Sequence, residues 1–387
     1  MRPRLCLPAL VAALVLVASC KKTESKPAEG DKKAGGAVKI GLVTDVGGRG
    51  DQSFNDSALR GLEIWAGGKR YATGGYTPMT AAEVDRTIPD EVKGANGVKP
   101  LNIEPLVLQA KQQEDYEPNL ELLVESQVKL AVGVGFMLEN AVEAAAKKNP
   151  EARFLLIDSP ILDAKGTPYA LPNVRTVTFR EHEGTFLVGA LAGLVTKTNM
   201  IGFVGGMQIP LIRKFEAGFR AGVMSTNAEA ARNLLVGYTG SFDKVEAGKQ
   251  VAQDMFAKNV DVLFHAAGAD GLGAIAAAKD AGKWAIGCDS DQSHVAPESV
   301  FVSFIKHVDL AVYLAARDTA EGKFTSGHTE LGLKEGGVGI TPIRLEKVGN
   351  REAMTAKIEG LKKMIVDGTI KVPATLEELA AFKPPAN

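Results

Sequence analysis

Residues 38–62 read VKIGLVTDVGGRGDQSFNDSALRGL. Val38 to Thr44 is a short run rich in β-branched and aliphatic residues, and it stops at a charged residue, Asp45. Glycines at 47, 48 and 50 then demand a turn, and from Ser53 to Trp65 the apolar residues return at helical spacing. A strand, a polar residue at its carboxyl end, a glycine turn and a helix make the first half of a βα unit.

The same sentence is repeated along the chain. Strands are expected at Val38–Thr44, Glu104–Leu108, Leu130–Val134, Arg153–Asp158, Val174–Phe179, Met200–Val204, Leu234–Thr239, Val262–His265, Trp284–Gly287 and Val300–Ile305. Helices are expected between them, at Ser53–Trp65, Tyr116–Ser126, Leu138–Lys147, His182–Thr196, Pro210–Met224, Lys244–Lys258, Leu272–Asp280 and Val308–Glu321. Strict alternation implies an α/β fold of parallel sheets with helices on both faces. Small molecules bind such sheets beyond the carboxyl ends of the strands, so the polar residues just after each strand are where function is to be sought. About 350 residues exceed one compact core and suit two lobes. The stretch at about 67–100 breaks the rhythm with many glycines, three prolines and two tyrosines. It is expected to be an inserted surface excursion.

The N-terminus carries a different signal. Arg2 and Arg4 precede an apolar run, Leu5 to Ala18, that ends in Val17-Ala18-Ser19-Cys20. A run of about 14 residues is too short for a spanning helix, which needs about 20, and reads as a signal peptide over 1–19. Small residues before a cysteine look like a lipobox, which would make Cys20 the acylated mature N-terminus. Lys21 to Gly36 is polar and charged, unable to offset the entropy of ordering, so 20–37 is expected to be a flexible tether. The chain would then be exported and held on a membrane through Cys20, at the periplasmic or cell-surface face.

Several function classes lose support. Lys and Arg number 45 against 46 Asp and Glu, with no basic cluster interleaved with aromatics, so a nucleic-acid partner is not expected. Cys6 leaves with the signal and Cys20 carries lipid, which leaves Cys288 alone. The five histidines show no metal-ligand spacing, and neither a metal nor a cofactor is expected. Gly133-Val-Gly135 lacks the third glycine of a dinucleotide fingerprint, and Gly268 to Gly273 has its spacing reversed. With no nucleophile elbow and no paired acid and base, no catalytic residue is assigned and a nucleotide-dependent enzyme is the weaker alternative.

The segment Thr44–Leu62 resembles the opening signature of the basic membrane protein family of lipoproteins, the purine-nucleoside receptor group. The likeness continues through Val132–Met137, Phe154–Asp158, Arg180–Gly184, Lys197–Gly206, Phe215–Phe219, Gly240–Asp243, Ala266–Gly268 and Gly287–Gln292. The resemblance implies a type I periplasmic-binding fold, two doubly wound lobes joined by three crossovers, serving an ABC-type importer. From the strand order the crossovers are expected near Phe179, Asp289 and Lys306. The first lobe would then be 38–179 plus 289–306, and the second 180–288 plus 307–387.

A nucleoside asks for a flat apolar clamp, a polar group for the base edge, and partners for the ribose hydroxyls. In the family the phenylalanine matching Phe54 stacks on the base, while the residues matching Asn55 and Asp45 bond its edge; an amide presents a donor and an acceptor together. Ser53 and Asn55 could instead be read as helix caps. Phe242, directly after a strand of the second lobe, is expected to supply the other ring, with Phe215 as the alternative. Asp289 is expected to accept the vicinal ribose hydroxyls, with Asp291 as its rival. Lys306 is expected to donate to the remaining hydroxyl or to hold Asp289 ionised, and Gly268 to let backbone approach the sugar. The expected partners are a small ligand, foremost a purine nucleoside, and a transporter permease, with the chain acting as a monomer. A sugar or other small metabolite, and a surface signalling role for the same cleft, are the alternatives these residues leave open.

Overall fold

The computed structural model describes residues 36–73, 75–344 and 350–385. The signal segment, Cys20 and the tether up to residue 35 lie outside the described residues. Two six-stranded sheets organise the rest. The first runs, edge to edge, Gly327–Leu331, Val174–Phe179, Phe154–Ile157, Leu130–Val134, Val38–Thr44 and Ile103–Gln109, with every neighbour parallel. The second runs Leu235–Tyr238, Ile201–Gly205, Val262–Ala266, Trp284–Gly287, Val300–Lys306 and Val338–Ile340. Its neighbours are parallel except the last pair. The central strands Leu130–Val134, Ile201–Gly205 and Val262–Ala266 are buried at every residue, as strands covered by helices on both faces must be. That is why they read as unbroken apolar runs.

The lobe boundaries differ from those expected. Val300–Lys306 pairs in parallel with Trp284–Gly287 and so belongs to the second lobe, not the first. Asp289 sits in the loop between these two strands and is not a crossover. The chain passes between lobes at Phe179–Glu181, at Lys306–Val308 and after Leu331. Beyond the second passage the helix Val308–Ala320 packs against Phe54–Leu59 and Arg60–Ala66 of the first lobe. Gly61 makes this close approach feasible, since a Cβ there would lie 2.2 Å from the Asp309 carbonyl oxygen. Gly327–Leu331 then adds to the edge of the first sheet before the chain returns to the second. The first lobe is therefore 38–179 plus 308–331.

The inserted stretch at 67–100 and the C-terminal tail are both structured. In 67–100, a hairpin of Lys69–Ala72 and Gly75–Pro78 is followed by the short helices Ala81–Asp85 and Asp90–Asn96. Val84, Ile88 and Val92, spaced by four, enter the main core, and the Trp65 indole donates to Thr87 Oγ1 at 3.1 Å. After residue 349 the helices Arg351–Val366 and Leu376–Ala381 dock on Glu181–Val195 and Pro210–Thr226 of the second lobe, respectively. Ile358, Leu361 and Ile365 form the buried stripe of the former.

Candidate functional site

The cleft between the lobes has an empty volume of about 550 Å³, counting its open mouth. Asp45, Phe54, Asn55, Phe242, Gly268, Asp289 and Lys306 all line it, as does Phe215. Strand ends place them: Asp45 follows Val38–Thr44, Gly268 follows Val262–Ala266, Asp289 follows Trp284–Gly287, and Lys306 closes Val300–Lys306.

At one end lies a carboxylate pair held by an amide. Asn55 Nδ2 donates to Asp45 Oδ1 at 2.7 Å and to Asp51 Oδ2 at 3.0 Å, while its Oδ1 accepts from the Asp45 backbone N–H. Asn55 thus orients the two acids, and its amide is engaged inside the protein. Asp51, absent from the sequence-based set, caps the helix: its carboxylate accepts from the N–H groups of Ser53, Asn55 and Asp56. Ser53 makes no side-chain cap. Asp45 Oδ1 also accepts from Gly47 N–H at 2.8 Å. Its Oδ2 faces Gly135, where an added Cβ would lie 3.2 Å from that oxygen and 3.4 Å from the Phe54 ring. Burial pushes the Asp45 carboxyl up to about 6, against the hydrogen bonds from Asn55 and Gly47. Burial, then the neighbouring Asp56, pushes Asp51 to about 7.

The other end is a buried ion cluster at the crossovers. Lys306 is only 2% exposed, and its Nζ lies 2.6 Å from Asp158 Oδ2 and 3.0 Å from Glu181 Oε1. The Glu181 contacts with Lys306 and Lys214 are ionic, both at 3.0 Å without hydrogen-bond geometry. Burial opposes the charge on Lys306, but Asp158, Glu181 and Asp289 outweigh it and hold the ammonium above its usual range. Burial likewise works to raise Glu181, yet Lys306 and Lys214 keep it below the usual value. Lys306 is therefore neither solvated nor free: two carboxylates and the rings of Phe54, Phe179 and Phe215, at 5.1, 5.1 and 5.5 Å, surround it. Asp158 is a lining residue the sequence reading passed over. Its backbone is left-handed (φ 71°), and its Oδ1 is buried without a partner. The same rule that found Asp45 and Asp289, a polar residue ending a parallel strand, would have found it.

Asp289 is also left-handed (φ 62°), and its Oδ2 accepts from Ser53 Oγ at 2.6 Å. Ser53 thus acts from behind Asp289, across the lobes. Burial raises the Asp289 carboxyl, with Lys306 and Ser53 opposing. Asp291 lies elsewhere: it accepts from Ser293 N–H and pairs with Arg344 at 2.8 Å in an exposed position. Although carboxylates gather here, among the described residues no group of three or more is placed to hold a metal ion.

Aromatic faces fill the space between the two ends. Phe242 of the second lobe meets Phe136 of the first edge-on, with centroids 6.3 Å apart. Phe136 was not singled out in the sequence because it follows a glycine pair read as a failed fingerprint. Gly206 supports the Phe242 ring, since a Cβ there would lie 2.3 Å from it. Gly268 (φ 54°) packs under the Phe242 backbone, where its own Cβ would meet the carbonyl oxygen at 3.1 Å. Phe215 is buried against Phe304, with centroids 5.4 Å apart, and forms the floor.

Comparison with known proteins bears on the family and the fold. The Bmp family model, described as ABC transporter substrate-binding protein PnrA-like, matches residues 37–375. The chain is 35% identical over 387 residues to a CD4+ T-cell-stimulating antigen of Listeria innocua, covering 95% of this chain and 97% of that protein. It is 32% identical to the ABC transporter nucleoside-binding protein BmpA of Lactococcus lactis, covering 94% and 96%. Among solved structures, a solute-binding protein of an ABC transporter system from Aeropyrum pernix superposes with a TM-score of 0.68 at 27% identity, over 89% of this chain and 96% of that one.

Proposed function

This chain belongs to the Bmp family of PnrA-like ABC transporter substrate-binding proteins, and we propose that its ligand is a purine nucleoside held in the interlobe cleft. It has the type I periplasmic-binding fold and is a substrate-binding protein, not an enzyme. The observation that carries the nucleoside reading is the division of one cleft into three chemistries. An acceptor, Asp45 Oδ2, stands beside the Phe54 ring at one end. Aromatic walls from Phe54, Phe136 and Phe242 line the middle, and Asp158, Asp289 and Lys306 gather at the other end. Base N–H groups suit the first, a flat base the second and sugar hydroxyls the third. Stacking on an aromatic face contributes about 1–3 kcal/mol per base. Ionised carboxylates accept hydroxyl hydrogen bonds more strongly than neutral groups do.

In this reading Asp45 accepts from the base edge, and Asn55 fixes it. Phe54 and Phe242 stack, Asp289 accepts ribose hydroxyls with Ser53 behind it, and Lys306 keeps the surrounding carboxylates ionised. Gly268 supports Phe242 from beneath. The chain acts as a monomer that is exported, anchored through acylated Cys20 and engaged by a membrane permease. The name of the Lactococcus lactis relative points to the same ligand class. A thermal-shift panel of purine and pyrimidine nucleosides, free bases and pentoses tests it. Purine ribonucleosides are expected to raise the melting temperature most. A larger shift with a pentose would turn the assignment to a sugar.

A further inference from the structure

We infer that the hairpin following Trp65 positions the base-facing wall of the cleft: its cross-strand pair, Tyr71 and Tyr76, clamps Arg49 and so fixes the glycine loop between Asp45 and Asp51. The inference rests on the nucleoside reading above for what the wall contacts. The loop's backbone is tied down, Gly47 and Gly48 N–H to Asp45, Arg49 N–H to Gln109 Oε1 and Gly50 N–H to Asp56 Oδ1, but it has few side chains to pack. Positions 47, 48 and 50 are glycine, and Gly48 and Gly50 adopt φ of 60° and 99°, so there is no Cβ at three of its residues to pack. Yet Gly47 and Asp51 line the cleft, and the Gly47 N–H bonds the carboxylate of Asp45.

The loop's one long side chain is anchored on several sides. The Arg49 guanidinium bonds both oxygens of Glu63, at 2.6 and 2.9 Å, in the bidentate geometry that fixes orientation as well as distance. Glu63 is buried, on the π-helical turn Arg60–Ala66. Tyr76 donates its hydroxyl to Glu63 Oε1 at 2.5 Å. Tyr71 lies under the guanidinium, with the Arg49 Cζ 4.2 Å from the ring centroid, and meets Tyr76 edge-on at 5.4 Å. The two tyrosines are direct partners in the hairpin register. The hairpin, by holding Arg49 from outside, adds a side-chain anchor to these backbone bonds and helps present Asp45 and Asp51 in one geometry, which spares the ligand part of the cost of ordering the loop.

The test titrates guanosine and deoxyguanosine from pH 5 to pH 8 against wild type, Tyr71→Ala, Tyr71→Phe and Tyr76→Phe. Amide hydrogen exchange over residues 46–50 and 288–292 is followed in parallel. Tyr71→Ala and Tyr76→Phe are expected to bind guanosine about tenfold more weakly, the scale of one lost stacking or charged hydrogen-bond contact. Their acid loss of binding should move to higher pH, because the Gly47 N–H no longer steadies the Asp45 carboxylate. The preference for the ribose sugar, set at the other end of the cleft, should not change. Tyr71→Phe, which keeps the ring, should restore what Tyr71→Ala loses.

Unchanged affinity and acid limb in Tyr71→Ala would overturn the inference. So would an equal loss of sugar discrimination, which would indicate general loosening. If wild type binds no nucleoside, the ligand assignment fails by itself and exchange decides the clamp. Faster exchange confined to 46–50 in Tyr71→Ala supports it, and unchanged exchange there refutes it.

Discussion

Acidification tests the base end of the cleft through Asp45, whose carboxyl stands at about 6 where 3.8 is ordinary. At pH 8 about 1% of this group is neutral, and at pH 5 about 90% is, by the usual titration relation. A carboxyl raised in the folded state stabilises the fold below its unfolded value of 3.8 and loses that contribution as pH rises through about 6. At neutral pH the buried charge therefore costs the ligand-free protein about 3 kcal/mol. A base that brings N–H donors to Asp45 Oδ2 relieves that cost, and it needs the ionised form to do so. Affinity for guanosine is therefore expected to fall about tenfold between pH 8 and pH 5, equivalent to about 1.4 kcal/mol. Near pH 6 binding should release up to about half a proton through this group.

Calorimetry in two buffers of different ionisation enthalpy measures both quantities. Asp45→Asn should remove this limb, and whatever acid loss persists belongs to Asp51, Asp158 and Asp289, which burial also raises. Affinity independent of pH in the wild type, or the whole acid loss surviving in Asp45→Asn, would refute the reasoning.

Phe242→Ala removes one face of the slot and is expected to cost about 1–3 kcal/mol of nucleoside affinity in calorimetry, with the unfolding midpoint little changed. Wild type should prefer a ribonucleoside over its deoxy form by at least about tenfold, since a charged acceptor left unpaired costs about 1–3 kcal/mol; matched titrations should show this preference lost in Asp289→Ala and kept in Asp291→Ala. Lys306→Met leaves Asp158 buried without its cation and Glu181 with Lys214 alone, and denaturant unfolding at neutral pH should show a loss of about 3–5 kcal/mol. Cys20→Ala should move the expressed protein from the detergent phase to the aqueous phase on partitioning.

Most of the ten strands legible in the sequence are largely buried, because continuous β-branched runs need no partner to be recognised; the edge strands Ile103–Gln109 and Leu235–Tyr238 are only partly covered. Gly327–Leu331 was invisible for the opposite reason: GHTEL at an exposed sheet edge has one large apolar residue and no alternation. Val338–Ile340 is too short to show a period. Without those two strands, nothing in the sequence said which sheet Val300–Lys306 would join, and the lobe boundary was misplaced as a result. In 67–100 the glycines concealed the stripe of Val84, Ile88 and Val92. At the site, the strand-end rule located Asp45, Asp289 and Lys306. The partners that fix their orientation come from distant segments, such as Ser53 behind Asp289 and Asp158 beside Lys306, and pairing over that separation leaves no trace in local spacing.

Titration of the full chain with guanosine, guanine and ribose, each separately, tests the central claim most directly. If aromatic walls and carboxylates at both ends read one ligand, guanosine should bind at least about tenfold tighter than either part, since each part forgoes about 1.4 kcal/mol or more from the end it does not reach. Ribose binding as tightly as guanosine, or no heat with any purine nucleoside, would contradict it.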